Sequence, residues 1–304
     1  RIAGGQHLLQ IETAHRDTIA VAVEAVLLEC REGCCPNRRC ENQKQHDHET
    51  TTDRAVVGWR TSMKGRAMRL LLGSGGFRTE ERRAIYRERM RSHFGDIERI
   101  LFVPWALHDH DRYVALMHEK GLDAGYVLEG IHTFDDPITA VESCEGIYIG
   151  GGNTFRLTAD LHRHGVLETI RTRVRGGLPY MGVSAGTNVA CPTMQTTNDM
   201  PITMPASFEA LGLVPFQVNA HYYDGQIHVK SGGGFVEHFG ETRDDRIREF
   251  HEMNETPVLG LWEGGLLEID DASISLVGSA ARLFRRGDQP LDVEDGADLS
   301  HLLS

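Results

Sequence analysis

From residue 68 onward, short apolar runs alternate with longer charged stretches. Residues 69–72 read as a strand that ends in Gly73-Ser74-Gly75-Gly76. Residues 79–94 are charged with scattered apolar positions, which predicts a helix with Thr79 as N-cap. The same reading gives a strand at 99–105, a helix at 109–120 stopped by Gly121, a strand at 125–128 and a short helix at 137–143. A buried strand follows at 146–150 and runs into Gly150-Gly151-Gly152-Asn153-Thr154, which opens a helix to about His164. A second helix at 166–175 leads to an apolar strand at 178–183. Beyond it, residues 213–222 and 257–262 read as strands and 241–252 as a helix. The end of the chain reads as short strands, LLEID, ISLVG and ARLFR, and a loose acidic tail over 288–304.

Strands alternating with helices imply an α/β fold: a mostly parallel sheet with helices on both faces, three layers in all. The closing short strands are expected to add an antiparallel piece at one edge. In such sheets ligands bind beyond the carboxyl ends of the strands. Gly150-Gly151-Gly152, Ser184, His221 and Glu263 all fall at or just after predicted strand ends, so one pocket can hold them all.

The candidate chemistry starts in residues 177–201, GLPYMGVSAGTNVACPTMQTTNDMP. Ser184 lies between Gly182 and Gly186 at a strand-to-helix turn, the pattern of a nucleophile elbow. The turn lifts the hydroxyl clear of the sheet, and glycines two positions either side let the backbones approach without a Cβ clash. The plainer reading is a Gly-Ser-Gly connection of no chemical use. His221 ends an apolar strand; alone it would be a solvated or capping residue, and beside an elbow it becomes a candidate base. Glu263, before Gly264-Gly265, is either a turn carboxylate or the group that orients that base. An oxyanion needs two fixed N–H donors. Ala185 supplies one and Gly152 is the candidate for the other. The triple glycine also suggests a phosphate cradle, but it lacks the Lys-Ser/Thr of a P-loop and the spacing of a dinucleotide site.

SAGTNVACPT followed by TTNDMP resembles the segment around the active-site serine of peptidase E, the aspartyl dipeptidase family. The resemblance spans roughly residues 68–285, with matching strings at four separated places. It implies a Ser-His-Glu triad on a sheet like that of the class I glutamine amidotransferases, with Ser184, His221 and Glu263 as its members. The chain order Ser, His, acid differs from that of α/β-hydrolases. Where the family usually has Asn-Pro-His, this chain has Asn219-Ala220-His221. Gly240-Glu241-Thr242-Arg243 matches a further family string and makes Arg243 the candidate cation for a substrate carboxylate. The alternative is an exposed arginine paired with Asp244 or Glu241. Asp199 also matches; it would hold the substrate's α-amino group or order its loop, and Asn153 would line the same pocket.

The implied function is hydrolysis of dipeptides with an N-terminal aspartate through an acyl-enzyme, with no metal or organic cofactor. A cyanophycinase-like hydrolase of β-aspartyl dipeptides and a non-catalytic binding module of the same fold are the alternatives. Between His221 and Gly240 the loop YYDGQIHVKSGGGFVEHF is longer than the family leads one to expect, and reads as a lid.

Composition adds limits. The 304 residues are 40% hydrophobic and 25% charged, with a net charge of -12. That balance fits a soluble globular protein and argues against a general nucleic-acid binder; the resemblance implies small dipeptides as the partners. No apolar run reaches the roughly 18–20 residues of a membrane span; residues 19–28 are shorter and contain Glu24. A cytoplasmic location is expected, with six reduced cysteines. Residues 1–67 begin without Met and carry Cys30, Cys34, Cys35, Cys40, His46 and His48. These spacings match no usual zinc arrangement, and the region is expected to be a disordered extension outside the fold, upstream of the start at Met68 or Met63. The oligomeric state, monomer or homodimer, is left open by the sequence.

Overall fold

The computed structural model describes residues 67–303. The expectations for residues 1–66, including the cysteine-histidine cluster, fall outside them.

Four consecutive buried residues in a strand mean that both faces of the sheet are covered, because side chains alternate between faces. β1 (Arg69–Gly73), β2 (Arg99–Val103) and β5 (Tyr180–Val183) each have four buried residues in a row, and all three residues of β4 (Ile147–Ile149) are buried. With β3 (Val127–Gly130) they form the parallel part of a seven-stranded sheet. Its order is β11-β10-β1-β5-β4-β2-β3, and β10 (Leu266–Asp270) and β11 (Ser273–Val277) run antiparallel at one edge.

Most of the helices begin where a side-chain cap satisfies a first-turn N–H group. Thr79 caps α1 (Glu80–Phe94), which ends at Gly95 with φ 66°. Asp109 caps α2 (His110–Glu119), and Asp136 caps α3 (Pro137–Ser143). Asn153 caps α4 (Thr154–Arg163), and α5 (Leu167–Arg175) follows. The helix after the elbow, α6, is only Ala185–Asn188. The last helix, α7 (Arg243–Met253), starts with a capping box between Thr242 and Asp245.

Two strands expected in the main sheet lie elsewhere. β6 (Gln217–Tyr222) and β9 (Val258–Trp262) pair in parallel within a second, four-stranded sheet of order β13-β12-β9-β6. Its other members are β12 (Ala281–Phe284) and β13 (Leu291–Val293). Both sheets share one core: Leu70 and Ile149 of the larger and Val218 and Leu259 of the smaller belong to the same buried cluster. Residues 288–303 are not a loose tail. β13 pairs with β12, and Val293, Leu299 and Leu302 are buried against the core. Their apolar positions are too sparse among acidic neighbours to show in averaged hydropathy.

Inside the long connection after β6, β7 (His228–Ser231) and β8 (Gly234–Glu237) form a hairpin whose residues are all exposed. Among the described residues no helix is long and apolar enough to cross a membrane.

Candidate active site

β5 is flanked by β1 and β4, and it delivers Ser184 at its carboxyl end. The turn there is tight for a measurable reason. A Cβ on Gly182 would lie 2.4 Å from the Gly186 carbonyl oxygen, and one on Gly186 would lie 2.0 Å from that of Ile149. Only glycine fits at either position. Ser184 itself has φ 55° and ψ -110°, a conformation costly for a residue with a side chain. Its N–H bonds the Gly73 carbonyl at 2.9 Å, and its own carbonyl accepts from the N–H groups of Thr187 and Asn188 at 2.9 Å. These bonds hold the strained turn.

His221 Nε2 stands 2.7 Å from Ser184 Oγ. On its other side, His221 Nδ1 is 2.7 Å from Glu263 Oε1. A carboxylate only accepts, so Nδ1 carries the proton and Nε2 is left as the acceptor for the serine hydroxyl. The structure therefore brings together three residues separated by 37 and 42 positions.

His221 reaches this position through a bulge. Ala220 opposes Leu261 and Tyr222 opposes Trp262, so His221 is an extra residue in β6 with φ 56°. Its N–H donates to Ser74 Oγ at 2.8 Å, and Ser74 donates in turn to the Leu261 carbonyl at 2.8 Å. Ser74 is fully buried. One hydroxyl thus ties the end of β1 to both β6 and β9. Ala220, where the resemblance leads one to expect proline, is buried in the strand, and Ser74 and the bulge hold the histidine.

Gly75 and Gly76 make room for this arrangement. A Cβ on Gly75 would come within 2.9 Å of His221 Cε1, and one on Gly76 within 1.6 Å of Glu263 Oε2. The Gly264 N–H bonds the Gly75 carbonyl at 2.8 Å, fixing the turn that carries Glu263. From the sequence alone, Gly73-Ser74-Gly75-Gly76 reads as a strand end. Its signal was there in the clustering of glycines, but nothing local told which distant residues it would meet.

The triple glycine lies against the elbow: a Cβ on Gly151 would be 3.1 Å from Ser184 Cβ. Among the described residues, no acceptor takes the N–H of Gly152 or of Ala185. Gly152 has φ 133°, and a Cβ there would lie 2.6 Å from the Ala106 carbonyl oxygen.

Asp199 and Asn153 belong to the framework. Asp199 Oδ2 accepts from Thr154 N at 2.8 Å, Thr154 Oγ1 at 2.6 Å and Thr197 Oγ1 at 3.0 Å. It orders its loop against the start of α4 and makes no bond to His221. Asn153 caps α4 through Oδ1, at 3.0 Å from the Arg156 N–H, and Nδ2 holds the Met200 carbonyl at 2.9 Å.

Arg243 is not paired with Asp244 or Glu241. Asp244 lies 3.5 Å from Arg282 and 3.9 Å from Arg248, while Glu241 lies 3.4 Å from Arg246. The Arg243 guanidinium donates to Asn198 Oδ1 at 2.6 Å and sits 5.1 Å from the Tyr223 ring centroid. Its Nε is buried without a partner, and burial pulls its pKa below the usual arginine range. Among the described residues, no cluster of three or more His, Cys, Asp or Glu could hold a metal ion.

Comparison with known proteins places the chain in a family. Residues 69–277 match the family model for peptidase family S51. Peptidase E of Streptomyces coelicolor is 50% identical over 209 residues, covering 67% of this chain and 82% of that protein. A probable alpha-aspartyl dipeptidase of Drosophila melanogaster is 42% identical over 210 residues, 68% of this chain and 85% of that protein. The crystal structure of a putative peptidase E protein from Listeria monocytogenes shares the fold, with a TM-score of 0.52 at 21% identity over 69% of this chain and 98% of that one. With a strained serine at its elbow, a histidine within reach and relatives of this likeness over most of their length, the chain belongs to peptidase family S51.

Proposed function

We propose that this protein hydrolyses dipeptides with an N-terminal aspartate by serine catalysis. The observation that carries the reading is the unbroken hydrogen-bond chain Ser184–His221–Glu263. Ser184 Oγ attacks the peptide carbonyl carbon while His221 Nε2 takes its proton. Glu263 holds the imidazole and stabilises the imidazolium that forms. The oxyanion accepts from the N–H groups of Gly152 and Ala185. The tetrahedral intermediate collapses as His221 passes the proton to the leaving amine. An aspartyl ester on Ser184 remains, and water activated by His221 hydrolyses it. These steps use only the chain's own groups.

Arg243 supports the choice of aspartate. A partly buried guanidinium with no ion pair is costly, and a substrate carboxylate would supply a direct partner. The name of the D. melanogaster relative, a probable alpha-aspartyl dipeptidase, points the same way. Small peptides in a reducing compartment remain the expected substrates and setting.

The test is hydrolysis of Asp-Leu, Glu-Leu, Asn-Leu, Ala-Leu and β-Asp-Leu, with and without a chelator. Preferential, chelator-insensitive cleavage of Asp-Leu is expected. Preference for β-Asp-Leu or for a neutral member would keep the serine mechanism and discard the role of Arg243. No cleavage of any member would sink the dipeptidase reading.

A further inference from the structure

The hydrogen bond on Arg243 comes from an amide, and the network around that amide leaves little choice of residue. Asn198 Oδ1 accepts from Arg243 Nη1 at 2.6 Å and from Asn219 Nδ2 at 3.1 Å. Asn198 Nδ2 donates to the Ala220 carbonyl at 2.9 Å. Asn219, 3% exposed, also donates to the Thr196 carbonyl at 2.8 Å. An arginine can only donate and a carbonyl can only accept, so position 198 needs an acceptor and a donor on one short side chain. An amide supplies both without charge. A carboxylate would face the Ala220 carbonyl with no proton to offer, and would neutralise Arg243.

The nearby carboxylate is also turned elsewhere. Asp199 directs Oδ2 to Thr154 and Thr197, and no ion pair joins it to Arg243 among the described residues. The Arg243 guanidinium is thus held in direction by a neutral amide, and Asp199 attracts its charge only from a distance, with no hydrogen bond or ion pair between them.

We propose that Asn198 is a specificity-positioning residue: a neutral acceptor that aims Arg243 and reserves its charge for the substrate carboxylate. The inference rests on the aspartyl dipeptidase reading above. It explains why an asparagine, and not one of the chain's many acidic residues, meets the partly buried cation.

The experiment compares wild type, Asn198→Asp, Asn198→Ala and Arg243→Gln on Asp-Leu and Asn-Leu. Labelling of Ser184 by a fluorophosphonate reports that each variant is folded with its triad assembled. Asn198→Asp should raise KM for Asp-Leu by at least about 30-fold, since a built-in ion pair now competes with the substrate. Its ratio of kcat/KM for Asp-Leu over Asn-Leu should fall to that of Arg243→Gln, while Asn198→Ala should keep more of the ratio. Asn198→Asp with the wild-type ratio overturns the proposal, as do Asn198→Asp and Asn198→Ala slowed equally on both substrates. Should Asn198→Asp fail to label, Asn198→Ser takes its place. A neutral acceptor there should hold the ratio above that of Asn198→Ala, and equal ratios overturn the proposal. An Arg243→Gln enzyme that keeps the wild-type ratio overturns the underlying reading of Arg243, and this proposal with it.

Discussion

Gly76 and Glu263 approach so closely that a single methyl group cannot come between them: a Cβ on Gly76 would lie 1.6 Å from Glu263 Oε2. Gly76 follows β1 of the larger sheet and Glu263 follows β9 of the smaller one. Gly76 also has φ 75°, so an L side chain there is strained as well as crowded.

Replacing Gly76 by Ala should therefore displace Glu263 and swing His221 off Ser184. A misplacement of about 1 Å is enough to lower kcat/KM roughly 100-fold. Steady-state kinetics on Asp-Leu measure it, beside a thermal melt expected to show a cost of about 1–3 kcal/mol from the strained backbone. Activity at the wild-type level would mean that Glu263 is not held through this contact.

Ser184→Ala and Ser184→Gly should both lose activity by about four to six orders of magnitude. They should differ in stability. Ser184 has φ 55°, which glycine adopts freely and alanine does not. Denaturant titration should find the glycine variant the more stable of the two by about 1 kcal/mol. The reverse order would remove the argument for strain at the elbow.

Glu263→Gln keeps the size of the side chain and removes its charge. Its amide can present an N–H to His221 Nδ1 and select the wrong imidazole tautomer. A fall in kcat of about 10⁴ is expected with KM little changed. A loss below tenfold, measured under saturating substrate, would exclude Glu263 as the orienting group.

Ser74→Ala leaves the His221 N–H and the Leu261 carbonyl without their present partner, at a cost of about 1–3 kcal/mol in chemical denaturation. Because that N–H anchors the bulge, kcat should fall while the ratio of Asp-Leu to Asn-Leu stays put. A variant as active as wild type would show that the bulge holds His221 unaided.

Much of this site was legible in the sequence because its signals are local. An elbow is a short-range device: strand, tight turn and the two glycines lie within a few residues of Ser184, and steric exclusion at Gly182 and Gly186 is what the pattern encodes. The parallel strands announce themselves as continuous apolar runs for the same reason, since burial on both faces leaves no polar alternation. His221 and Glu263 could be named as strand-end residues in the right chain order.

What required the tertiary structure is everything that depends on which strands are neighbours. Backbone hydrogen bonds are alike for every sequence, so an apolar run does not say which partner it will take, or in which sheet. That is why β6 and β9 read as members of the main sheet and form a second one. The same limit hid the meeting of Gly76 with Glu263, of Ser74 with His221 and of Asn198 with Arg243. It also hid the buried residues 293, 299 and 302, whose few apolar side chains count only once the strand they pair with is in place. The elements and the elbow at Ser184 were determined by near neighbours in the chain. The alignment of His221 with Ser184 and Glu263, the packing of the glycines around it and the setting of Arg243 were decided by contacts between segments far apart in sequence.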